Sequence, residues 1–255
     1  MNPILASPFN SFLYICKMEK KKREILDFFK DLEFDEGKHL YSVNGNKINS
    51  SVSKIIKNFV VPFDTHGVSL GVARKRGVDQ KTILNEWEHI KNEACAKGTR
   101  VHLFGELFPF NQNLEPKDGY EIAVTRFWRD LPNHIIPVIM ELQMYHKEFM
   151  YAGTGDILLY NTVTDTFIIG DYKTNKDLFK NYKKKKMLPP FDNLLDMPFS
   201  KYQLQLSFYQ ILFEQIGLKV SSRKVIWLKP DGNYEMYETQ DYTEVLTDYL
   251  KNNKV

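Results

Sequence analysis

Residues 153–174 read GTGDILLYNTVTDTFIIGDYKT, and the rest of the chain is interpreted around them. Two β-rich runs, Ala152 to Tyr160 and Thr166 to Tyr172, flank Asn161–Asp165, a string of turn-forming residues. The pattern predicts a β-hairpin. Asp156 falls near the start of its first strand, and Asp171 and Lys173 at the end of its second. Alternate residues of a strand share a face, so Asp171 and Lys173 point the same way, and the hairpin brings Asp156 beside them. Ile168 and Ile169 mark the second strand as buried. Charges clustered at the end of a buried strand are costly without partners or a metal. Hard oxygen ligands suit Mg²⁺ or Mn²⁺, and an ammonium beside them suits a phosphate whose charge grows during reaction.

Working outward, Ile135 to His146 predicts a third strand ahead of the hairpin. Downstream come a basic segment, Lys180–Lys186, a Pro-rich loop, Leu188–Pro198, and a strong helix, Tyr202–Ile216, ended by Gly217. Val220–Leu228 predicts a core strand, Tyr234–Glu238 an edge strand and Thr243–Leu250 a last helix. Upstream, Asp118–Arg129 predicts a helix, and Gln80–Phe108 one or two helices interrupted at Lys97-Gly98. Lys17–Asp35 predicts a short amphipathic helix. Tyr41–Ile48 predicts strands turned at Asn44-Gly45. Ser50, Ser51 or Ser53 caps a short helix, in a unit that ends at Pro62 and Gly67. Helices, a three-strand meander, then helix and strand make an α/β (α+β) fold. We expect a flexible extension over 1–17, with Met18 as an alternative start, and one domain over 18–255. That domain divides into an N-terminal part (18–95), a core (96–230) and a C-terminal helix (231–255).

The chain has 255 residues, 43% hydrophobic and 26% charged, an ordinary soluble composition with ample material for a core. Aromatic residues spread along the chain read first as core. A net charge of +3 permits a nucleic-acid partner, because phosphate binding needs a local basic patch. Two cysteines, Cys16 and Cys95, form no disulfide framework and cannot supply the four ligands of an iron–sulfur cluster. They fit a reducing compartment, hence cytoplasm. No apolar run reaches the roughly 18 residues of a membrane span, and the N-terminal charges follow the apolar stretch, unlike a secretory signal.

GTGDILL followed by IIGDYKT resembles motifs II and III of the RecB-type branch of the PD-(D/E)XK nucleases. Gln205 and Tyr209, in KYQLQLSFYQILFE, match that branch's Gln-x-x-x-Tyr signature. Gly98-Thr-Arg-Val-His102-Leu-Phe-Gly-Glu106 resembles its motif I helix, in which a histidine joins the metal shell. Glu141 occupies the place of a glutamate ahead of the Asp strand, with His146 and Glu148 as weaker rivals. The likeness covers roughly residues 95–230. Gly155 stands where the motif's name has proline, and YSVNGNKINSSVSKII is loosely similar to a segment of phage and mitochondrial exonucleases.

The resemblance implies a restriction-endonuclease-like core and metal-dependent DNA hydrolysis. The implied catalytic residues are Asp156, Asp171, Lys173, Gln205 and Glu141. The implied Mg²⁺ or Mn²⁺ ligands are His102, Asp156, Asp171 and the backbone carbonyl of Tyr172. Tyr209, Tyr182 and Lys183, Lys184, Lys185 and Lys186 are expected DNA contacts, with Phe179 beside them. An exonuclease acting on ends or single strands in recombination, repair or replication is the first reading. An endonuclease of the same fold and a non-catalytic nucleic-acid-binding module are the alternatives. No P-loop motif occurs, so unwinding needs a helicase partner, and recombination or single-strand-binding partners fit equally.

Overall fold

The computed structural model describes residues 8–253 apart from 36 and 39, with side chains from residue 18 onward. An N-terminal helix, α1 (Pro8–Phe28), leads into a small antiparallel sheet of β1 (Leu32–Asp35), β2 (Leu40–Val43) and β3 (Asn46–Lys47). Residues 1–7 of the expected extension lie outside the described residues; from Pro8 the chain is helical. Leu32–Asp35 is strand, not the end of the predicted helix. Pairing of Leu32 with Val43, and the stacking of Phe34 on Tyr41 at 4.5 Å, outweigh the local helical spacing. Asn44 and Gly45 have φ of 50° and 75°, the left-handed pair that a two-residue hairpin turn requires.

A short strand β4 (Ser50–Ser51) precedes α2 (Val52–Ile56), whose first turn is capped by the Ser51 hydroxyl accepting from the Lys54 amide. A 3₁₀ turn, Lys57–Phe59, follows. The chain then forms α3 (Thr65–Arg76), where the sequence reading placed only a terminus. Asp64 caps it, Gly67 sits in its first turn, and Gly77 closes it at φ 68°. Next, α4 (Gln80–Leu107) runs unbroken through Gly98, since one helical glycine costs only about 1 kcal/mol.

After α5 (Gly119–Asp130), six strands form the main sheet: β4 with β5 (Ile135–Tyr145), β6 (Tyr151–Asn161), β7 (Thr166–Lys173), β8 (Val220–Leu228) and β9 (Tyr234–Glu238). The β5–β6–β7 meander is antiparallel. A parallel crossover through α6 (Pro198–Glu214) carries β7 to β8, β9 forms the edge, and α7 (Thr243–Asn252) ends the chain. The architecture is a mixed α+β fold with helices on both faces of the sheet. On one face Leu204, Leu206, Leu212 and Phe213 of α6 pack on Phe167, Ile169 and Val225. On the other, Val101 and Phe104 of α4 with Ala123 and Phe127 of α5 pack on Ile157, Ile168 and Ile226. No helix among the described residues is long and apolar enough to cross a membrane.

Candidate active site

The site lies where the sheet forks. β5 covers one edge of β6. On the opposite edge β7 pairs only between Ile157↔Gly170 and Asn161↔Thr166, and β4 only at Ser50↔Tyr151 and Ser51↔Ala152. Residues 153–156 lie in the gap, with no ladder pair on that edge. Gly153 and Gly155 let α6 approach there: a Cβ on Gly153 would fall 2.8 Å from a ring carbon of Tyr209. Asp156 closes the gap. Its Oδ2 accepts from the Tyr172 amide at 2.9 Å, in place of the carbonyl a continuing strand would offer.

Glu141 of β5 lies opposite Asp156, between the pairs Met140↔Ile157 and Leu142↔Gly155. Its φ of 51° is left-handed, an outlier for a non-glycine residue inside a strand. Such strain persists only where surrounding structure imposes it, and it concentrates at functional sites. The twist breaks the alternation of β5 and brings the carboxylate to His102. His102 arrives from α4, in the opposite layer. Its Nδ1 lies 3.2 Å from Asp156 Oδ2 and 3.8 Å from Glu141 Oε1. One donor atom from each of His102, Glu141 and Asp156 lies within 4.8 Å of the others.

Close approach of α4 depends on Gly105, one turn beyond His102. A Cβ there would lie 2.5 Å from the Tyr172 ring. That ring is buried and pinned, its hydroxyl accepting from the Trp128 indole at 2.7 Å. At an unobstructed helix position Gly→Ala stabilises by about 1 kcal/mol, whereas overpacking costs roughly 1–3 kcal/mol. Gly105→Ala is therefore expected to lower the melting temperature through the clash with the Tyr172 ring. A stabilised variant would contradict that clash.

Asp171 is 1% exposed and Lys173 is its counter-charge. No other N–H or O–H of the described residues reaches its carboxylate. Burial and then the charge of Asp156 push the Asp171 carboxyl above its usual range, against the pull of Lys173. Burial opposes charge on Lys173, but Asp171 and Asp156 outweigh it and hold the ammonium protonated. The Lys173 ammonium also sits 4.4 Å over the Tyr202 ring, whose hydroxyl donates to Asn175 Oδ1 at 2.8 Å.

Burial lowers the His102 imidazolium, but Asp156, Glu141 and Asp171 together raise it to about 9. A raised folded-state value stabilises the protonated form. His102 thus contributes stability that is complete below about pH 6.5 and lost as pH rises through about 9. Metal-free protein is expected to lose melting temperature over that window, and His102→Gln to show a flatter profile. Parallel profiles would show that His102 carries no such charge.

The fold brings some of the sequence-derived residues together and not others. His102, Glu141, Asp156, Asp171 and Lys173 converge, but the three-residue donor cluster contains Glu141 where Asp171 was expected. Asp171 is instead turned to Lys173, as a buried carboxylate demands. Tyr172 meets the site through its amide, while its ring packs in the α4–α5 layer. Gln205 Nε2 donates to the Tyr209 hydroxyl at 2.7 Å. Tyr209 itself is 5% exposed, so the expected DNA contact is corrected to a buried packing role that anchors Gln205. Tyr182 and Lys183–Lys186 are exposed on the loop after β7. His146 is excluded as a rival: its Nδ1 accepts from the Glu148 and Phe149 amides at 3.2 Å within the β5–β6 turn. Glu106 lies outside the donor cluster. Tyr202 was missed, although it stands three residues before Gln205 on the same helix, spacing that places both on one face.

An imidazole and three carboxylates around one fork, one carboxylate almost unsolvated, fit a divalent ion with oxygen and nitrogen preference. His102, Glu141 and Asp156 would hold it, with Asp171 adjoining. No protein-family model matches the chain, and no curated protein matches it in sequence.

Proposed function

We propose that this chain is a Mg²⁺- or Mn²⁺-dependent deoxyribonuclease with a PD-(D/E)XK-type core, an exonuclease in its first reading. The observation that carries the proposal is the convergence of His102, Glu141 and Asp156 within 4.8 Å beside the buried Asp171–Lys173 pair. When bound, the ion would supply charge neutralisation at the phosphate and activation of water. Lys173, beside Asp171, orients or deprotonates the attacking water, or stabilises charge on the phosphate. Gln205, fixed by Tyr209, steadies the substrate backbone beside the site.

The test is digestion of end-labelled linear and closed-circular DNA with Mg²⁺, Mn²⁺ or EDTA. Metal-dependent loss of linear DNA with circles intact is expected. Nicked circles would show an endonuclease. No cleavage of either substrate with either metal would leave a binding module as the better reading.

A further inference from the structure

The sheet face that carries Lys173 continues outward as aromatic surface. Trp227 of β8 is the register partner of Lys173 on β7, so the two side chains stand on the same face one strand spacing (~4.8 Å) apart. The Trp227 indole donates to the Asn175 carbonyl at 2.7 Å, and Tyr202 donates to the Asn175 side chain. The loop leaving β7 is thereby fastened against both rings. Further along it, the Phe179 ring lies 6.3 Å from that of Trp227 and 5.2 Å from that of Tyr237. Phe179 is 41% exposed and Tyr182 66%.

Ammonium groups border these rings. Lys180 lies 4.9 Å over the Tyr182 ring. Among the described residues no carboxylate pairs with Lys180 or with Lys183–Lys186, whereas Lys224 and Lys229 nearby are paired with Glu238 and Glu235. The lysine loop is also built rather than loose. The Asn181 amide donates to the carbonyls of Lys185 at 2.9 Å and Asp196 at 2.8 Å. Lys183 and Lys184 are both held at left-handed φ, 58° and 52°. Exposed rings beside unpaired ammoniums match a strand whose bases offer π-faces and whose phosphates offer charge. A duplex offers only the second, because its base faces are covered by stacking.

We infer that Phe179 and Tyr182, flanked by Lys180 and Lys183–Lys186, form a binding track for single-stranded nucleic acid on the loop that leads away from Lys173. The rings stack unpaired bases while the lysines follow the backbone. The direction toward Lys173 rests on the nuclease reading above; the binding does not.

Binding is therefore measured on the full chain in EDTA, where no cleavage is read. Labelled oligo-dT is followed by fluorescence anisotropy, beside a hairpin-capped duplex of equal length. Oligo-dT is expected to bind at least tenfold more tightly than the duplex. Phe179→Ala and Tyr182→Ala should each weaken oligo-dT binding about tenfold, within the ~1–3 kcal/mol typical of one stacked base, without altering salt dependence. Lys183–Lys186→Ser should instead flatten the salt dependence, by up to ~0.7 in the log–log slope per lysine contact. Both ring variants alter exposed positions, and their circular dichroism should match the parent. The inference is overturned if duplex and oligo-dT bind equally, if both ring variants stay within twofold of the parent, or if polyglutamate competes as well as oligo-dT. A chain that binds oligo-dT in this pattern yet cuts no DNA keeps the track and loses the nuclease reading. A chain that cuts linear DNA without the pattern does the reverse.

Discussion

Lys173→Ala is expected to lower DNA cleavage by on the order of 10²-fold or more, with Mn²⁺ binding retained. On the proposed reading, Lys173 acts where negative charge would grow on the phosphate, so its loss falls mainly on the transition state. An exposed Lys–Asp pair would contribute about 0–1 kcal/mol and its loss would pass unnoticed. Asp171, however, is 1% exposed, and removing one partner of a buried pair typically costs ~3–5 kcal/mol. Part of that cost is relieved because the Asp171 carboxyl, already raised by burial and Asp156, takes up a proton once the ammonium has gone. The stability loss is separated from the catalytic one by Asp171→Asn combined with Lys173→Met, which removes both charges of the pair. That variant should recover melting temperature and remain inactive. Cleavage by Lys173→Ala within tenfold of the parent rate would remove Lys173 from the mechanism.

Much of the fold was readable where local chemistry and tertiary structure agree. The Asn44-Gly45 turn, a serine cap among Ser50, Ser51 and Ser53, the β5–β6–β7 meander and helix α6 each follow from a nearby signal: left-handed φ, a hydroxyl acceptor, period-two apolarity, a long apolar helix. The misreadings arose where partners are distant. Leu32–Asp35 carries helix-compatible residues, and only pairing to Leu40–Val43 makes it a strand. Pro62 and Gly67 read as breakers, yet Asp64 caps a helix that Gly67 enters without strain because the first turn needs no side chain there. At Gly98 the helical run on either side outweighs one weak residue.

At the site, spacing along strands placed Asp156, Asp171 and Lys173 together, since two residues apart means one face. What spacing cannot express is the fork. The gap in pairing at residues 153–156 exists because β4 and β7 each take part of one edge of β6, and β4 lies some hundred residues away in sequence. The left-handed φ of Glu141 also has no local signature. Glu141 joins the donor cluster, while Asp171 is turned to Lys173. Tyr209 misled because its spacing from Gln205 is the same whether its ring faces solvent or two glycines.

Asp156 does two things with one oxygen, and two substitutions separate them. Its Oδ2 accepts from the buried Tyr172 amide at 2.9 Å and lies 3.2 Å from His102 Nδ1. Asp156→Asn keeps a carbonyl acceptor for the amide but removes the charge. Asp156→Ala removes both and strands a buried N–H, at a cost of roughly 1–3 kcal/mol. Loss of Mn²⁺ affinity by on the order of 10²-fold or more is expected in both, because even residues that only support metal ligands change affinity 10–100-fold. Melting temperature should therefore fall further in Asp156→Ala than in Asp156→Asn, while the two lose Mn²⁺ binding alike. His102 adds an independent readout. Asp156 is the strongest of the charges raising its imidazolium, so in either variant the histidine should titrate below about 9. Calorimetric Mn²⁺ titration and His102 ring chemical shifts against pH measure the two effects separately. Parent-like Mn²⁺ affinity in Asp156→Asn would take Asp156 out of the ligand set, and an unmoved His102 titration would show that the 3.2 Å contact carries no charge coupling.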